Sequence, residues 1–164
     1  MFAATDVQYL PTGAARAALV LADDAAFSRI AAEEAVLVPE VAPYKPGEFF
    51  RRELPPLRAV LASALPNVEL LIVDGYVDLD PSGRPGLGAH AHEEFGVPVI
   101  GVAKTRFATA THAVPVLRGQ SVKPLFVTSA GLPLPDAAAL VHAMFGQYRL
   151  PDALRRADSL ARGR

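Results

Sequence analysis

Hydrophobic positions along the 164-residue chain first alternate in short strand-like stretches, then give way to apolar runs separated by helical ones. Phe2 to Leu10 ends at the turn signal Pro11-Thr12-Gly13, and Ala15 to Leu21 ends at Asp23-Asp24. Phe27 to Val38 is strand-compatible despite its alanines. Turns this short cannot carry a parallel crossover, so the three strands predict an antiparallel meander. Helical stretches follow over Gly47 to Leu54 and Leu57 to Leu65; Pro55 and Pro56 lack N–H donors and end the first or open the second. Glu69 to Asp74, Val97 to Ala103 and Leu125 to Ser129 are nearly continuous apolar runs, as in buried parallel strands. Gly88 to Phe95 reads as a short helix, and Asp136 to Phe145 as a last one with Ala137, Leu140, Val141 and Met144 on its apolar face. A meander followed by alternating helix and strand predicts an α/β fold, a mixed sheet with helices on both faces.

Composition narrows the chemistry. The absence of cysteine excludes thiolate zinc sites, redox dithiols, cysteine nucleophiles and disulfide frameworks. No apolar run approaches the roughly 18 residues that cross a bilayer, and Met-Phe-Ala-Ala-Thr-Asp carries no basic region of a signal peptide. The expectation is one soluble, cytoplasmic domain over residues 1–164, with no membrane partner. The net charge of −1 hides an asymmetry. Residues 1–44 carry a net −4, residues 45–100 a net −3, and residues 101–164 a net +6. That separation suits metal ions on one side and phosphates on the other, though an ordinary solvated surface accounts for it as well.

Open α/β sheets place their sites at the C-terminal ends of buried strands. Asp74 ends Leu-Leu-Ile-Val-Asp, and Lys104 ends Val-Ile-Gly-Val-Ala-Lys. Asp6 lies inside the first strand, where Asp has poor propensity and no turn to cap. Buried like charges repel unless protonated or bridged by a cation, and carboxylates on neighbouring strands favour Mg²⁺ or Mn²⁺. Taken alone, the pattern equally allows Asp74 to start the turn at Gly75 and Asp6 to face solvent. Asp78-Leu-Asp-Pro-Ser-Gly opens like a calcium loop but has Ala89 where the closing Glu belongs, which rejects that site. His90 and His92 are two residues apart and do not share a helix face. Ser82, Ser121 and Ser129 lack the context of a nucleophile elbow.

Several blocks in order resemble the endonuclease V family, metal-dependent nucleases that cut near deoxyinosine in DNA or inosine in RNA. They are Ala4-Thr5-Asp6-Val7, Pro43-Tyr44-Lys45-Pro46-Gly47 with Arg52-Glu53, Val73-Asp74-Gly75, Gly86-Leu87-Gly88, Gly101-Val102-Ala103-Lys104, Lys123 to Val127, and Tyr148 to Pro151 with Arg155 and Asp158. The resemblance implies a ribonuclease H-like fold, with the meander followed by parallel strands. It implies that Asp6, Glu53 and Asp74 hold Mg²⁺, with Mn²⁺ able to substitute, and that Lys104 sits near the scissile phosphate. Tyr44, Pro46 and Gly47 match the family's wedge, and Gly75, Gly88 and Gly101 match positions around the pocket for the flipped base. The implied partner is inosine-containing DNA or RNA.

The departures mark a short, divergent member. Gly131 stands where the family carries a histidine after the Leu-Phe-Val strand, expected close to the metal site. Val77 replaces a small pocket glycine, and Asp80 a histidine. The missing histidine raises an alternative, a catalytically impaired nucleic-acid-binding module of the same fold. Phosphate contacts are expected from Lys104, Arg149, Arg155 and Arg156.

Overall fold

The computed structural model describes all residues of the chain except Gly47 and Phe49. Strands β1 (Phe2–Tyr9), β2 (Ala15–Ala22) and β3 (Ile30–Val38) form the antiparallel meander expected from their short turns. After helix α1 (Phe50–Leu61) and a 3-10 turn, β4 (Leu70–Asp74) pairs parallel to β1. Helix α2 (Leu87–Phe95) leads to β5 (Val99–Ala103), parallel to β4. Strands β6 (Val114–Val116) and β7 (Leu125–Ala130) and helices α3 (Leu134–Ala143) and α4 (Asp152–Ala161) complete the described elements, and the sheet order is β3-β2-β1-β4-β5-β7-β6.

Strand β6 and helix α4 lie outside the elements expected from the sequence, where Asp136 to Phe145 reads as the last helix, and two further elements differ in form. The first is α1, a single helix containing both Pro55 and Pro56. Each proline removes one main-chain hydrogen bond, but Pro56, Leu57, Val60 and Leu61 are all buried on one side. Burying one such aliphatic side chain is worth roughly 1.5–3 kcal/mol, so packing outweighs the lost bonds. The second is β7, which runs antiparallel to β5 rather than parallel. An apolar run reports burial, not direction. The chain between β5 and β7 contains the short edge strand β6 and no helix, so it lacks the usual crossover for a parallel return.

Side chains alternate along the strands and feed two cores. Ala4, Val20, Ile72, Ile100 and Val102 pack with residues of α3 and α4 on one face. Leu19, Leu71, Val73 and Val99 pack with residues of α1 and α2 on the other. Helices therefore cover both faces, and strands β1, β4 and β5 are sandwiched between them.

Candidate active site

The alternation that builds the first core also aims three charged side chains in the same direction. Asp6 follows Ala4, Asp74 follows Ile72 and Lys104 follows Val102, each two residues on and so on the same face. Pairing of Thr5 with Val73, and of Asp74 with Val102, sets all three at one end of adjacent strands. Helix α4 covers this face through Ala153, Leu154 and Ala157, and Asp158, one turn beyond Leu154, joins the cluster. Glu53 arrives from α1 on the opposite face, where Tyr9 lies beside it.

The four acids of the cluster share it with the Lys104 ammonium and, at its edges, the guanidinium groups of Arg162 and Arg52. Lys104 Nζ stands 2.9 Å from Asp74 Oδ2 and 3.9 Å from Asp158 Oδ1. Asp158 Oδ2 also accepts from Arg162 Nε at 2.9 Å. Burial and the neighbouring Asp74 push the Asp6 carboxyl up to about 6, only partly opposed by Lys104 and by the Val7 N–H at 2.9 Å. Glu53 is pushed up to about 8, again by burial and then by Asp74, against the opposing influence of the neighbouring Tyr9 hydroxyl. The Tyr9 hydroxyl is driven upward by burial and by the charge of Glu53. Burial acts against Asp158 as well, but Arg162 and Lys104 more than offset it and leave its pKa lowered. Burial likewise opposes the Lys104 ammonium, yet the surrounding carboxylates win and its pKa rises.

Several spaces adjoin these groups, among them two that flank Asp74. A void of ≈ 10 Å³ lies among Asp6, Asp74, Lys104 and Leu154, room for about one water-sized sphere. A cavity of ≈ 290 Å³ opens on the other side of Asp74, with Glu53, Phe50, Tyr76, Leu79 and Phe107 in its wall. The Tyr76 hydroxyl fixes this wall by donating to Thr105 O at 2.7 Å and accepting from Phe107 N–H at 2.9 Å.

A family model described as Endonuclease V matches residues 1–126. The endonuclease V of Streptomyces avermitilis is 36% identical over 167 residues, covering 89% of this chain and 72% of that protein. That of Azotobacter vinelandii is 37% identical over 171 residues, covering 91% and 76%. The chain belongs to the endonuclease V family. It is accordingly a nuclease, a hydrolase of phosphodiester bonds. The crystal structure of the Streptomyces avermitilis endonuclease V superposes with a TM-score of 0.82 at 34% identity, covering 99% of this chain and 79% of that one. Ciona intestinalis endonuclease V, crystallised with a 23mer DNA containing an inosine followed by a ribo-adenosine, shares the fold at a TM-score of 0.83 and 20% identity, covering 99% and 83%.

Against the endonuclease V pattern, Asp6, Glu53, Asp74 and Lys104 come together in one charged cluster. Gly75 lines the cavity of ≈ 290 Å³. Gly88 and Gly101 instead make room behind its wall. A Cβ on Gly88 would meet Val77 Cα at 2.9 Å, and one on Gly101 would meet Gly75 O at 2.6 Å and Val77 N at 2.8 Å. Val77 itself is fully buried core, with its N–H on Thr128 Oγ1 at 2.8 Å. Tyr44, 60% exposed, and the exposed Pro46 lie on the stretch leading into α1. Gly47 lies outside the described residues.

Gly131 requires a correction. Ala130 pairs with Val99 at the start of β5, and a Cβ at Gly131 would meet Pro98 Cα at 3.2 Å and His92 Cε1 at 2.8 Å. This is the opposite end of the strand from Lys104, roughly 20 Å away at the usual strand rise. A histidine at 131 would not stand beside Asp6, Glu53 and Asp74. His92 Nδ1 meets Val97 O at 2.7 Å, and His90 stacks on Phe50 at 3.7 Å between centroids. The basic residues also divide. Arg149 donates to Lys123 O at 3.0 Å and Pro124 O at 2.9 Å, and Arg156 Nε bonds Glu33 Oε1 at 2.9 Å. Both guanidinium groups are therefore engaged in holding the fold.

Tyr9 and Asp158 belong to the cluster although sequence reasoning gave neither a role there. Tyr9 continues the Thr5–Val7 face of β1, which meets α1. Asp158 sits four residues after Leu154 on the buried stripe of α4, an acidic position on an apolar face and hence a legible signal. As the side chains stand, no three Asp, Glu or His groups among the described residues are disposed to enclose an ion. The donor chemistry nevertheless suits a hard divalent cation. The donors are carboxylate oxygens, Asp6 and Glu53 are each raised by the charge of Asp74, and Glu53 Oε2 is buried with no hydrogen-bond partner among the described residues.

Proposed function

We propose that this chain is an inosine-directed endonuclease of nucleic-acid repair or processing that works with Mg²⁺ or Mn²⁺ at Asp6, Glu53 and Asp74. The observation that carries the reading is the crowding of these acids around Lys104, beside an aromatic cavity of ≈ 290 Å³. A bound divalent ion would supply Lewis-acid charge and lower the pKa of water. Asp6 and Asp74, on adjacent strands, and Glu53 would hold it through their oxygens. The Lys104 ammonium, half-exposed and anchored by Asp74, would face the phosphate and stabilise its developing charge. Phe50, Tyr76 and Phe107 would receive a base turned out of its stack, their ring faces replacing the lost stacking. The Ciona intestinalis relative crystallised with inosine-containing DNA supports choosing inosine as the base. Gly131 gives the binding-only alternative no support, because its position is remote from the acids.

The test is cleavage of matched inosine and control oligonucleotides, as DNA and as RNA, in Mg²⁺, in Mn²⁺ and in chelator. Inosine strands alone should be cut, and only with a divalent ion present. Cleavage in chelator, or equal cleavage of the controls, would sink the reading.

A further inference from the structure

Arg118 is 4% exposed, and its hydrogen bonds go to main-chain carbonyls. It donates to Tyr148 O at 2.9 Å and Gly146 O at 3.1 Å, and also to the carbonyls of His142, Met144 and Arg149. Desolvation lowers its pKa, with Asp152 only partly compensating. Burying a cation in this way is costly, and here it fixes the stretch 142–149 from within. Gly119, at φ +59°, adds a second hold, since any Cβ there would collide with Gln147 O.

The stretch so fixed presents an aromatic ring to solvent. Tyr148 is 52% exposed, and the Arg155 guanidinium lies over its ring, 4.5 Å from the centroid. Arg155 also lies 3.6 Å from Asp152 Oδ1, which steadies it in that position. The pair borders a groove of ≈ 700 Å³ with Gln120, Gln147 and Leu150. Leu150 also lines the small void beside Asp6, Asp74 and Lys104, so this one side chain stands between the groove and the carboxylates. The surrounding third of the chain carries a net +6.

We propose that Tyr148 and Arg155 form a stacking platform for an unpaired base of the substrate strand, on the flank that leaves the carboxylate site across Leu150. A rigid aromatic face with an arginine over it, in a basic groove, is what single strands stack upon. The Gln120 and Gln147 amides can donate to and accept from the edge of that base. The platform recognises a single-stranded flank of either sugar type, and it rests on the endonuclease reading above.

Binding of single-stranded inosine oligonucleotides, trimmed stepwise from each side of the inosine, tests it by fluorescence anisotropy in chelator. Trimming one particular flank should weaken wild-type binding about 5- to 100-fold, the range of one base–aromatic stack. Pairing that flank with a complementary strand should have a similar effect. Tyr148→Ala should weaken binding of the full strand to the same degree and abolish sensitivity to trimming, whereas Tyr148→Phe should behave as wild type. An unchanged thermal midpoint checks that the exposed substitution leaves the fold intact. Tyr148→Ala binding the full strand like wild type, or losing affinity equally for every trimmed strand, overturns the platform while leaving the endonuclease reading intact. Flank-dependent binding through Tyr148 without inosine cleavage would overturn the endonuclease reading instead. A wild-type chain that binds no strand removes both.

Discussion

Lys104 Nζ stands 2.9 Å from Asp74 Oδ2 and 3.9 Å from Asp158 Oδ1, so a single ammonium links the end of β4 to helix α4. In a cluster of four acids it is, among the described residues, the basic group that bonds Asp74 while also reaching Asp158. Lys104→Met should therefore reduce single-turnover cleavage about 10²- to 10³-fold, the usual cost of removing one transition-state donor. Affinity for the inosine strand should fall much less. Lys104→Arg should recover only part of the rate, because a planar fork does not reproduce a point charge. A loss confined to affinity would assign Lys104 to binding alone.

The pH dependence follows from Glu53 and Asp6, whose carboxyls burial and Asp74 push up to about 8 and about 6. Both folded-state values exceed the unfolded ones, so between about pH 4 and pH 8 the folded chain binds more protons than the unfolded chain. Stability without a divalent ion should thus be greatest at the acidic end of that window and fall as pH rises through it. Binding of Mg²⁺ needs the ionised carboxylates and should strengthen over the same range. Thermal midpoints in chelator and in Mg²⁺, measured from about pH 5 to about pH 8.5 to span that window, should diverge with rising pH. Parallel curves would remove the carboxylates from cation binding.

Asp6→Asn is nearly isosteric and deletes one of the repelling charges. Cleavage should fall below detection while the thermal midpoint in chelator at about pH 8 rises by a few degrees, at roughly 2–4 °C per kcal/mol for a chain of this size. Unfolding of this variant would instead give Asp6 a structural role, centred on its bond with the Val7 N–H.

Gly131→His should leave the cleavage rate unimproved. Its φ of +78° and the closeness of His92 and Pro98 to any added Cβ oppose every side chain there. Overpacking of this kind costs typically about 1–3 kcal/mol, readable as a lower denaturant midpoint. A faster enzyme would refute the placement of residue 131 at the far end of β5.

Much of this arrangement is legible in the sequence because it depends on period and position. The meander follows from two short turns, and Asp6, Asp74 and Lys104 stand out as charges on otherwise apolar strands. Glu53 is reached through family resemblance, since nothing in the periodicity of a helix on one face announces a side chain that meets acids of the other. The direction of β7 is not legible, because its apolar run is the same in either orientation. The continuous α1 is hidden by Pro55 and Pro56, whose local penalty is overcome only by tertiary burial. Asp158 is an acid on the apolar stripe of α4, a signal open to a reader who follows that helix through to its end.

The acids at the site come from residues 6, 53, 74 and 158, and their ammonium from residue 104. Contacts so distant in sequence form late, because long loops must close before they are rewarded. During synthesis, the carboxylates of β1 and β4 emerge well before α4 can lie over them. Until that last helix docks, the cluster lacks Asp158 and the cover of Leu154. The charged cluster is thereby complete only once the strands and α4 have come together.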